Sequence, residues 1–206
     1  MSRFDNRLKG YVGTGYGYRD VVSDLATNAI AGVDYVHHEI HAGSHFTAMW
    51  SVADIGAATT PNDTISLTFT TPDTTKWGHM VFRFNAVGGA LCTVREGGSG
   101  GVSPTGAVTC FNNNRNSTTT SGLLDLSSTA GQISYDATLD TGGSLIVNEY
   151  IAGATTNQNM AGGGAESGGR FEWVLKQNTR YQVSIVSTAT VSASIILHWY
   201  EHTNKN

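Results

Sequence analysis

The chain has 206 residues, of which 39% are hydrophobic and only 14% are charged, and its net charge at pH 7 is -4. The charged fraction lies well below the ~25% of ordinary soluble domains, and no basic patch is present that would neutralise nucleic-acid phosphates. No apolar run approaches the ~20 residues of a membrane helix, so direct nucleic-acid binding and a membrane-spanning role are both disfavoured.

The first 33 residues differ in composition from the rest of the chain. They hold a third of its basic residues, and residues 10–18 alternate glycine with tyrosine and small residues, a pattern that offers few core positions. Apolar residues recur weakly over 20–30, which predicts at most one short helix. We therefore predict an extended N-terminal arm over 1–33. A flexible terminus is the alternative interpretation.

An arm of mixed glycine, tyrosine and arginine often becomes ordered on a partner surface. The arm residues that we predict as partner or subunit contacts are Arg3, Arg7, Tyr11, Tyr16 and Tyr18. The first five residues show no charged stretch followed by an apolar one, so no signal peptide is predicted and synthesis in a cytoplasm is expected.

From residue 34 onward, strand patterns follow one another at short intervals, separated by glycine, proline and asparagine. Alternating strand and helix patterns are not visible, which argues against a parallel sheet. We predict an all-β fold over 34–206, an antiparallel two-sheet sandwich of jelly-roll type. The predicted strands are 35–41, 46–53, 65–69, 80–84, 91–94, 122–126, 144–151, 171–175, 180–186 and 191–200.

Glycine marks the predicted connections between these strands. Strands 80–84 and 91–94 are expected to form a hairpin closed by Gly88 and Gly89. The glycine-rich stretches 97–101 and 161–169 are expected to be long loops. Aromatic residues near the C-terminus are interpreted as core packing rather than a sugar-binding platform. They are Phe171, Trp173, Tyr181, Trp199 and Tyr200.

Residues 37–45 contain four histidines and one glutamate, which suggests a metal site. The order does not match the zinc-protease pattern, in which two histidines four apart on a helix enclose a glutamate next to the first. We predict strand histidines that are hydrogen-bonded within the fold, so no metal or other cofactor is expected. The weaker alternative is a metal held by His37, His38 or His41 with a ligand from His79, His198 or His202.

No catalytic residue is predicted. No serine lies in a nucleophile elbow between a strand and a helix, and neither Cys92 nor Cys110 has a catalytic motif around it. The two cysteines are interpreted as separate buried thiols, although adjacent strands would allow a disulfide. An enzyme is therefore not expected.

A polar run follows Phe111, and its asparagines favour a surface loop closed by its own hydrogen bonds. The alternative is a polar contact between subunits, in which Arg115 is the anchor. The predicted contact residues in this run are Asn114, Arg115 and Asn116.

Four stretches taken together resemble structural proteins of tailed bacteriophages, specifically capsid decoration or cement proteins. They are residues 34–43, the asparagine run 113–117, residues 170–176 and the terminal segment 198–202. The resemblance spans roughly residues 34 to 202. It implies a β-sandwich that assembles as a homotrimer, binds the major capsid protein on the outside of the head and supports it against the packaged DNA.

The same resemblance implies a virion protein made in the bacterial cytoplasm, with no nucleic-acid or membrane partner. The N-terminal arm is not covered by the resemblance, and its role in capsid anchoring is a hypothesis based on its composition. Two alternatives of other classes stand beside this reading. One is a tail or head-fibre component, and the other is a carbohydrate-binding jelly-roll module.

Overall fold

A computed structural model describes residues 8–11, 18–21, 35–55, 64–100, 102–151, 164–166, 172–187 and 190–203. Contacts divide the chain into two compact units, residues 1–38 and 39–206. In the first unit, strand β1 (Leu8–Tyr11) pairs antiparallel with β2 (Tyr18–Val21), so that Tyr11 lies opposite Tyr18. A helix was predicted over 20–30, but residues 20 and 21 belong to β2. Residues 22–30 lie outside the described ranges.

The strand predicted over 35–41 is wrong, because this segment forms helix α1 (Tyr35–Ala42). Gly43 ends the helix with a φ of 73°, and its amide donates to the Ile40 carbonyl at 3.0 Å. The Ser44 amide donates to the Glu39 carbonyl at 3.0 Å, which completes a Schellman motif. The sequence signal was the glycine, whereas the alternation of polar and apolar residues was too short to separate a strand from a helix.

The second unit contains two antiparallel sheets packed against each other. The first sheet has the order β11-β5-β14-β3-β8, with β12 also paired to β5. Its strands are β3 (His45–Ile55), β5 (Lys76–Ala86), β8 (Phe111–Asn112), β11 (Gly164–Glu166), β12 (Trp173–Val174) and β14 (Val191–Thr203).

The second sheet has six strands. They are β4 (Thr64–Thr70), β6 (Ala90–Glu96), β7 (Gly106–Thr109), β9 (Gln132–Tyr135), β10 (Ser144–Ile151) and β13 (Arg180–Val186). Their order in the sheet is β10-β6-β13-β4-β9-β7.

The strand order is that of a jelly roll. Successive strands β3, β4, β5 and β6 alternate between the two sheets. The later strands β10, β11, β13 and β14 then pair with them in the same two sheets. This gives one four-strand set β3-β14-β5-β11 and a facing set β4-β13-β6-β10, as two interleaved Greek keys require. The prediction of an antiparallel two-sheet sandwich of jelly-roll type is confirmed.

The predicted hairpin between β5 and β6 is wrong, because the two strands lie in different sheets. The turn that contains Gly88, with a φ of 135°, carries the chain across the edge of the sandwich. Both strands have one apolar face, and crossing the edge lets these faces meet in the core. A two-glycine connection is compatible with both arrangements, so the local sequence did not distinguish them.

Two smaller predictions also differ from the structure. Residues 122–126 do not form a strand, and only Leu124 makes isolated bridges, to Thr70 and Ala130. Within the glycine-rich stretch 161–169, residues 164–166 form β11 instead of a loop.

The core lies between the sheets and consists of the inward residues of each strand. Trp199 and Tyr181 are fully buried there, as the packing interpretation predicted. The interpretation is wrong for Trp173, which is 36% exposed, and Tyr200 is buried near the end of β14 outside the core cluster. Phe171 lies outside the described residues. The other large, fully buried side chains are Phe46, Phe69, Phe82, Ile55, Ile65, Leu67, Met80, Leu123, Ile133 and Ile185. Among the described residues, no helix is both long and apolar enough to cross a membrane.

Residues 102–143, here called the covering segment, include β7 and β9, which extend the second sheet, and β8, which joins the first. Within this segment, residues 136–140 lie against the outer face of β4 and β13. Strands β4 and β13 are buried on both faces. The Ser66 hydroxyl donates to the Ala137 carbonyl at 3.0 Å, and the Gln182 amide donates to the Thr138 carbonyl at 3.0 Å. In return, the Asp140 amide donates to the Gln182 side chain at 2.6 Å. The outer residues of these strands are therefore polar, buried and satisfied.

Candidate interaction surface

The outer face of the first sheet differs from that of the second sheet. In register across β3, β14 and β5, one row contains Met49, Ile196 and Arg83. Met49 is 54% exposed on β3, which pairs with β14 at this position, whereas β8 pairs only with Phe46 and Thr47. The next row contains Thr47 and His198. We call this face, from β8 to β12, the open face.

Both edges of the open face expose apolar side chains. Phe111 on β8 is paired with Thr47 and is 52% exposed. The Arg115 guanidinium lies over its ring, 5.2 Å from the centroid, in a cation–π contact. At the opposite edge, Val174 on β12 pairs with His79 and is 49% exposed. Apolar residues are thus spread across the face between polar ones, a distribution typical of protein interfaces.

The asparagine run holds Arg115 in place beside Phe111. Asn112 is buried, and its amide donates to the Gly43 carbonyl at 2.8 Å and the Thr119 carbonyl at 3.0 Å. Its side-chain oxygen accepts the Asn114 amide at 2.9 Å. The prediction that this loop is closed by its own asparagine and threonine groups is confirmed.

The structure places the predicted contact residues in three groups. Asn114 donates to the His41 carbonyl at 3.2 Å, and the Asn116 amide donates to the Asn114 side chain at 3.2 Å, so both lie beside Arg115 at the rim of the open face. Tyr11 and Tyr18 are paired in the first unit. The remaining three, Arg3, Arg7 and Tyr16, lie outside the described residues.

Sequence reasoning missed Met49 and Phe111. The signal that was available is that β3 has apolar residues on both faces, with Met49 on the face opposite Phe46 and Trp50. One apolar residue on the polar face of a strand is common on protein surfaces, so it predicts nothing until its neighbours in the sheet are known.

Two histidines at one end of the open face favour their neutral form. Burial, followed by the nearby His198, lowers the pKa of His45, while Glu39 acts in the opposite direction. Burial and the positive charge of Arg83 lower the pKa of His198. The His198 ring contacts the Thr47 hydroxyl at 3.0 Å, and that hydroxyl donates to Asn113 at 2.8 Å. His198 and Thr47 are therefore hydrogen-bonded, whereas the buried Nδ1 atom of His45 has no hydrogen-bond partner.

The clustered histidines of the sequence lie on two elements, with His37, His38 and His41 on helix α1 and His45 on strand β3. His37, His38 and His41 are exposed on the helix, so the prediction that they lie on a strand is wrong. Within the part of the chain that the structure describes, no three histidine, cysteine, aspartate or glutamate side chains converge on a common metal position.

The two cysteines are free and buried, as separate thiols were predicted to be. Burial raises the pKa of Cys92 to about 12, with a smaller effect of Glu149. Burial likewise raises the pKa of Cys110 to about 12, with a smaller effect of Glu201. Both thiols therefore stay protonated at neutral pH, which makes them poor nucleophiles.

No protein-family model, no curated protein and no solved structure matches the chain. The fold and the surface together define a jelly-roll sandwich in which the chain covers the outer residues of β4 and β13, and the described outer face of the first sheet has mixed apolar and polar character. A functional proposal rests on these features and on the sequence resemblance.

Proposed function

We propose that this chain is a capsid decoration, or cement, protein of a tailed bacteriophage. In this proposal it assembles as a homotrimer, binds the outer surface of the major capsid shell and stabilises the head. The protein is made in the host cytoplasm and resides in the virion. It acts by binding, and it uses no cofactor and no catalytic residue.

The open face is the observation that carries this proposal. Met49, Phe111 and Val174 expose large apolar areas on one sheet. On the other sheet, the outer residues of β4 and β13 are polar and covered, and the exposed apolar residues Leu145 and Tyr150 lie on edge strand β10. Removing apolar surface from water stabilises a complex by roughly 25 cal/mol per Å² before the costs of association are subtracted. A partner that covers this face gains that stabilisation, whereas the outer residues of β4 and β13 are already covered.

Rigidity of the fold supports the same proposal. The jelly roll leaves both sheets supported by a common core, and the loop that holds Arg115 is fixed by buried Asn112. A preformed surface loses little conformational entropy when it binds, so it suits a protein that must reinforce a shell.

The test is co-sedimentation of the full chain with expanded empty capsids, after its mass in solution has been measured by light scattering. We expect a trimer that sediments with capsids. Met49→Glu places a charge at the centre of the open face, and we expect it to weaken capsid binding at least about tenfold. Tyr150→Glu is the matched control, because Tyr150 is 77% exposed on edge strand β10 of the other sheet.

A wild-type protein that stays in the supernatant contradicts the proposal. Equal losses in Met49→Glu and Tyr150→Glu contradict the role of the open face while leaving capsid binding intact. The hypothesis on the arm is tested separately with Arg3→Ala and Arg7→Ala, for which we expect weaker capsid binding and an unchanged trimer.

The two alternatives give different results in the same preparation. A tail or head-fibre component ignores capsids and sediments with tails. A sugar-binding module binds glycans in solution, for which exposed aromatic rings in a groove are the usual platform. Trp199, Tyr181 and Tyr200 are buried here, and the exposed rings of Trp173 and Tyr150 lie on strands of different sheets.

A further inference from the structure

His45 lies at the start of β3, directly after helix α1, and its buried ring is incompletely hydrogen-bonded. The residue is only 6% exposed, and its Nδ1 atom has no hydrogen-bond partner. Neighbouring side chains bond to other groups. The Ser44 hydroxyl donates to the Glu39 carboxylate, and the His198 ring contacts the Thr47 hydroxyl at 3.0 Å. A buried ring nitrogen without a partner raises the free energy of the folded protein.

The cost of this unpartnered atom depends on the protonation of the ring. A neutral imidazole has one N–H and one nitrogen lone pair, whereas an imidazolium has an N–H on both nitrogens. Protonation of His45 therefore places an N–H at the buried Nδ1 position, where no described group accepts it. Burying a charge without a hydrogen-bonded partner is much less favourable than burying a neutral ring.

The charged groups around His45 do not offset this cost. On β14, the His198 ring centroid lies 6.4 Å from that of His45, and the positive charge of Arg83 on β5 acts on His198. Tyr200, opposite His45 in the register of β14, supplies a phenol rather than a carboxylate. On helix α1, Glu39 acts in the opposite direction, but burial and His198 outweigh it, so the pKa of His45 is lowered.

Helix α1 is attached to the rest of the fold close to the same position. The Asn112 side chain donates to the Gly43 carbonyl at 2.8 Å, and the Asn114 side chain donates to the His41 carbonyl at 3.2 Å. A helix of eight residues is unstable by itself in water, so it depends on tertiary contacts. Local opening of such a short element costs less free energy than unfolding of the sheets.

We propose that protonation of His45 opens helix α1 locally, while the two sheets remain folded. In the open form, water hydrates both ring nitrogens, so the imidazolium gains the hydrogen-bond partners that it lacks in the closed form. The contact of Asn114 with the His41 carbonyl is lost at the same time. This inference does not depend on the proposed function.

The test is amide hydrogen exchange, measured by NMR on the full chain at pH 7.5 and pH 5 and corrected for the intrinsic effect of pH on exchange. The Ser44 amide, which donates to the Glu39 carbonyl at 3.0 Å, reports on helix α1. The Val183 amide reports on the sheets, because Val183 is fully buried on β13 between β4 and β6.

We expect the protection of the Ser44 amide to fall roughly tenfold between pH 7.5 and pH 5, because the open form binds the proton more tightly. Low urea concentrations should not change this protection, since local opening exposes little surface. The protection of Val183 should decrease with urea at both pH values, because its exchange requires global unfolding.

Two variants separate His45 from the other histidines. His45→Phe keeps a buried ring and removes the titrating nitrogens, so the protection of Ser44 should change by less than about twofold between the two pH values. His38→Gln is the matched control, because His38 is an exposed histidine of helix α1, and it should behave as the wild type does.

Three results would each overturn the proposal. In the wild type, they are a Ser44 protection that does not change with pH, and a Ser44 protection that decreases with urea as that of Val183 does. Neither result requires a variant to fold. The third is a full pH dependence of Ser44 protection in His45→Phe.

Discussion

The outer faces of the two sheets have opposite chemistry. On the second sheet, Ser66 and Gln182 point away from the core, yet both are buried under the covering segment and hydrogen-bonded to it. On the first sheet, the equivalent positions include Met49 and Ile196, and Met49 is largely exposed. The chain itself covers the polar outer residues of β4 and β13, and among the described residues Met49, Phe111 and Val174 are exposed on the other sheet.

This contrast shows how a sandwich separates stability from binding. A covering segment brings backbone carbonyls and amides that need partners, so the strands beneath it carry side chains that supply them. A sheet face that binds another molecule needs no such partners within the chain. Burial of apolar side chains on that face stabilises the complex. Substitutions on the two faces should therefore have opposite effects on folding and on binding.

The largest effect is expected where the covering segment is fastened to the first sheet. Buried Glu201 accepts the Ser121 hydroxyl at 2.6 Å, the Gly122 amide at 2.9 Å and the Trp199 indole at 2.9 Å. Glu201→Ala leaves these buried donors without an acceptor, so we expect a loss of about 3–5 kcal/mol in the free energy of unfolding. Urea denaturation measures it. Glu201→Gln keeps one acceptor and should lose less; equal losses would contradict this account.

A smaller effect is expected at Gln182, in the middle of the covered face. Gln182→Leu keeps the volume but leaves the Thr138 carbonyl and the Asp140 amide without partners, so stability should fall by about 1–3 kcal/mol. The same denaturation assay applies. A neutral result would mean that the covering segment does not depend on these hydrogen bonds.

We also expect the free energy of unfolding to decrease as the pH is lowered, because two histidines of the open face become protonated. The pKa of His45 and that of His198 are lowered in the folded protein, mainly by burial, so the unfolded chain binds more protons below its ordinary histidine pKa of 6.5. The two histidines contribute to the free energy of unfolding above pH 6.5. This contribution is lost as the pH falls from that value toward their lower pKa values in the folded protein. Glu39 and Arg83 are the charged groups that act on the pair.

We therefore expect a lower thermal midpoint at pH 5 than at pH 7.5, and a smaller difference in His198→Gln. The glutamine amide retains a hydrogen-bonding group beside Thr47 and does not titrate. His38→Gln controls for the removal of a histidine. An unchanged pH dependence in His198→Gln would refute the role of this pair.

The smallest effect on folding is expected at Met49, where the effect on binding is expected to be largest. Met49→Glu exposes a charge on an already open face, so the free energy of unfolding should change by no more than about 1 kcal/mol. Denaturation of the same sample that is used for co-sedimentation tests this directly. A loss comparable to that of Gln182→Leu would show that the open face is covered within the protein itself.

Strands with a strict alternation were predictable from the sequence. The predicted ranges 65–69, 180–186 and 191–200 agree closely with β4, β13 and β14, because one apolar face per strand specifies both the strand and its orientation. The strand predicted over 35–41 is wrong, because a Schellman motif at Gly43 closes a helix of eight residues there. A pattern that short does not distinguish the two periods.

The sequence predicted a contact residue at the rim of the open face, Arg115, but it did not predict Met49. Arg115 was predicted as a contact anchor from the polar run around it, and the structure places it over Phe111. The same reasoning concentrated on the histidines at 37–41, whereas the closest histidine pair, His79 and His202, joins residues 123 positions apart in the chain. Proximity of this kind depends on which strands become neighbours.

The sequence by itself determined the fold class, because composition, alternating apolar residues and turn residues act through near neighbours along the chain. It was sufficient for an all-β sandwich and for most of its strands. The tertiary structure alone decided which sheet each strand joined, which outer face the covering segment occupied and which histidines met. These outcomes depend on contacts between distant residues, and the core selects them by the apolar surface that it buries.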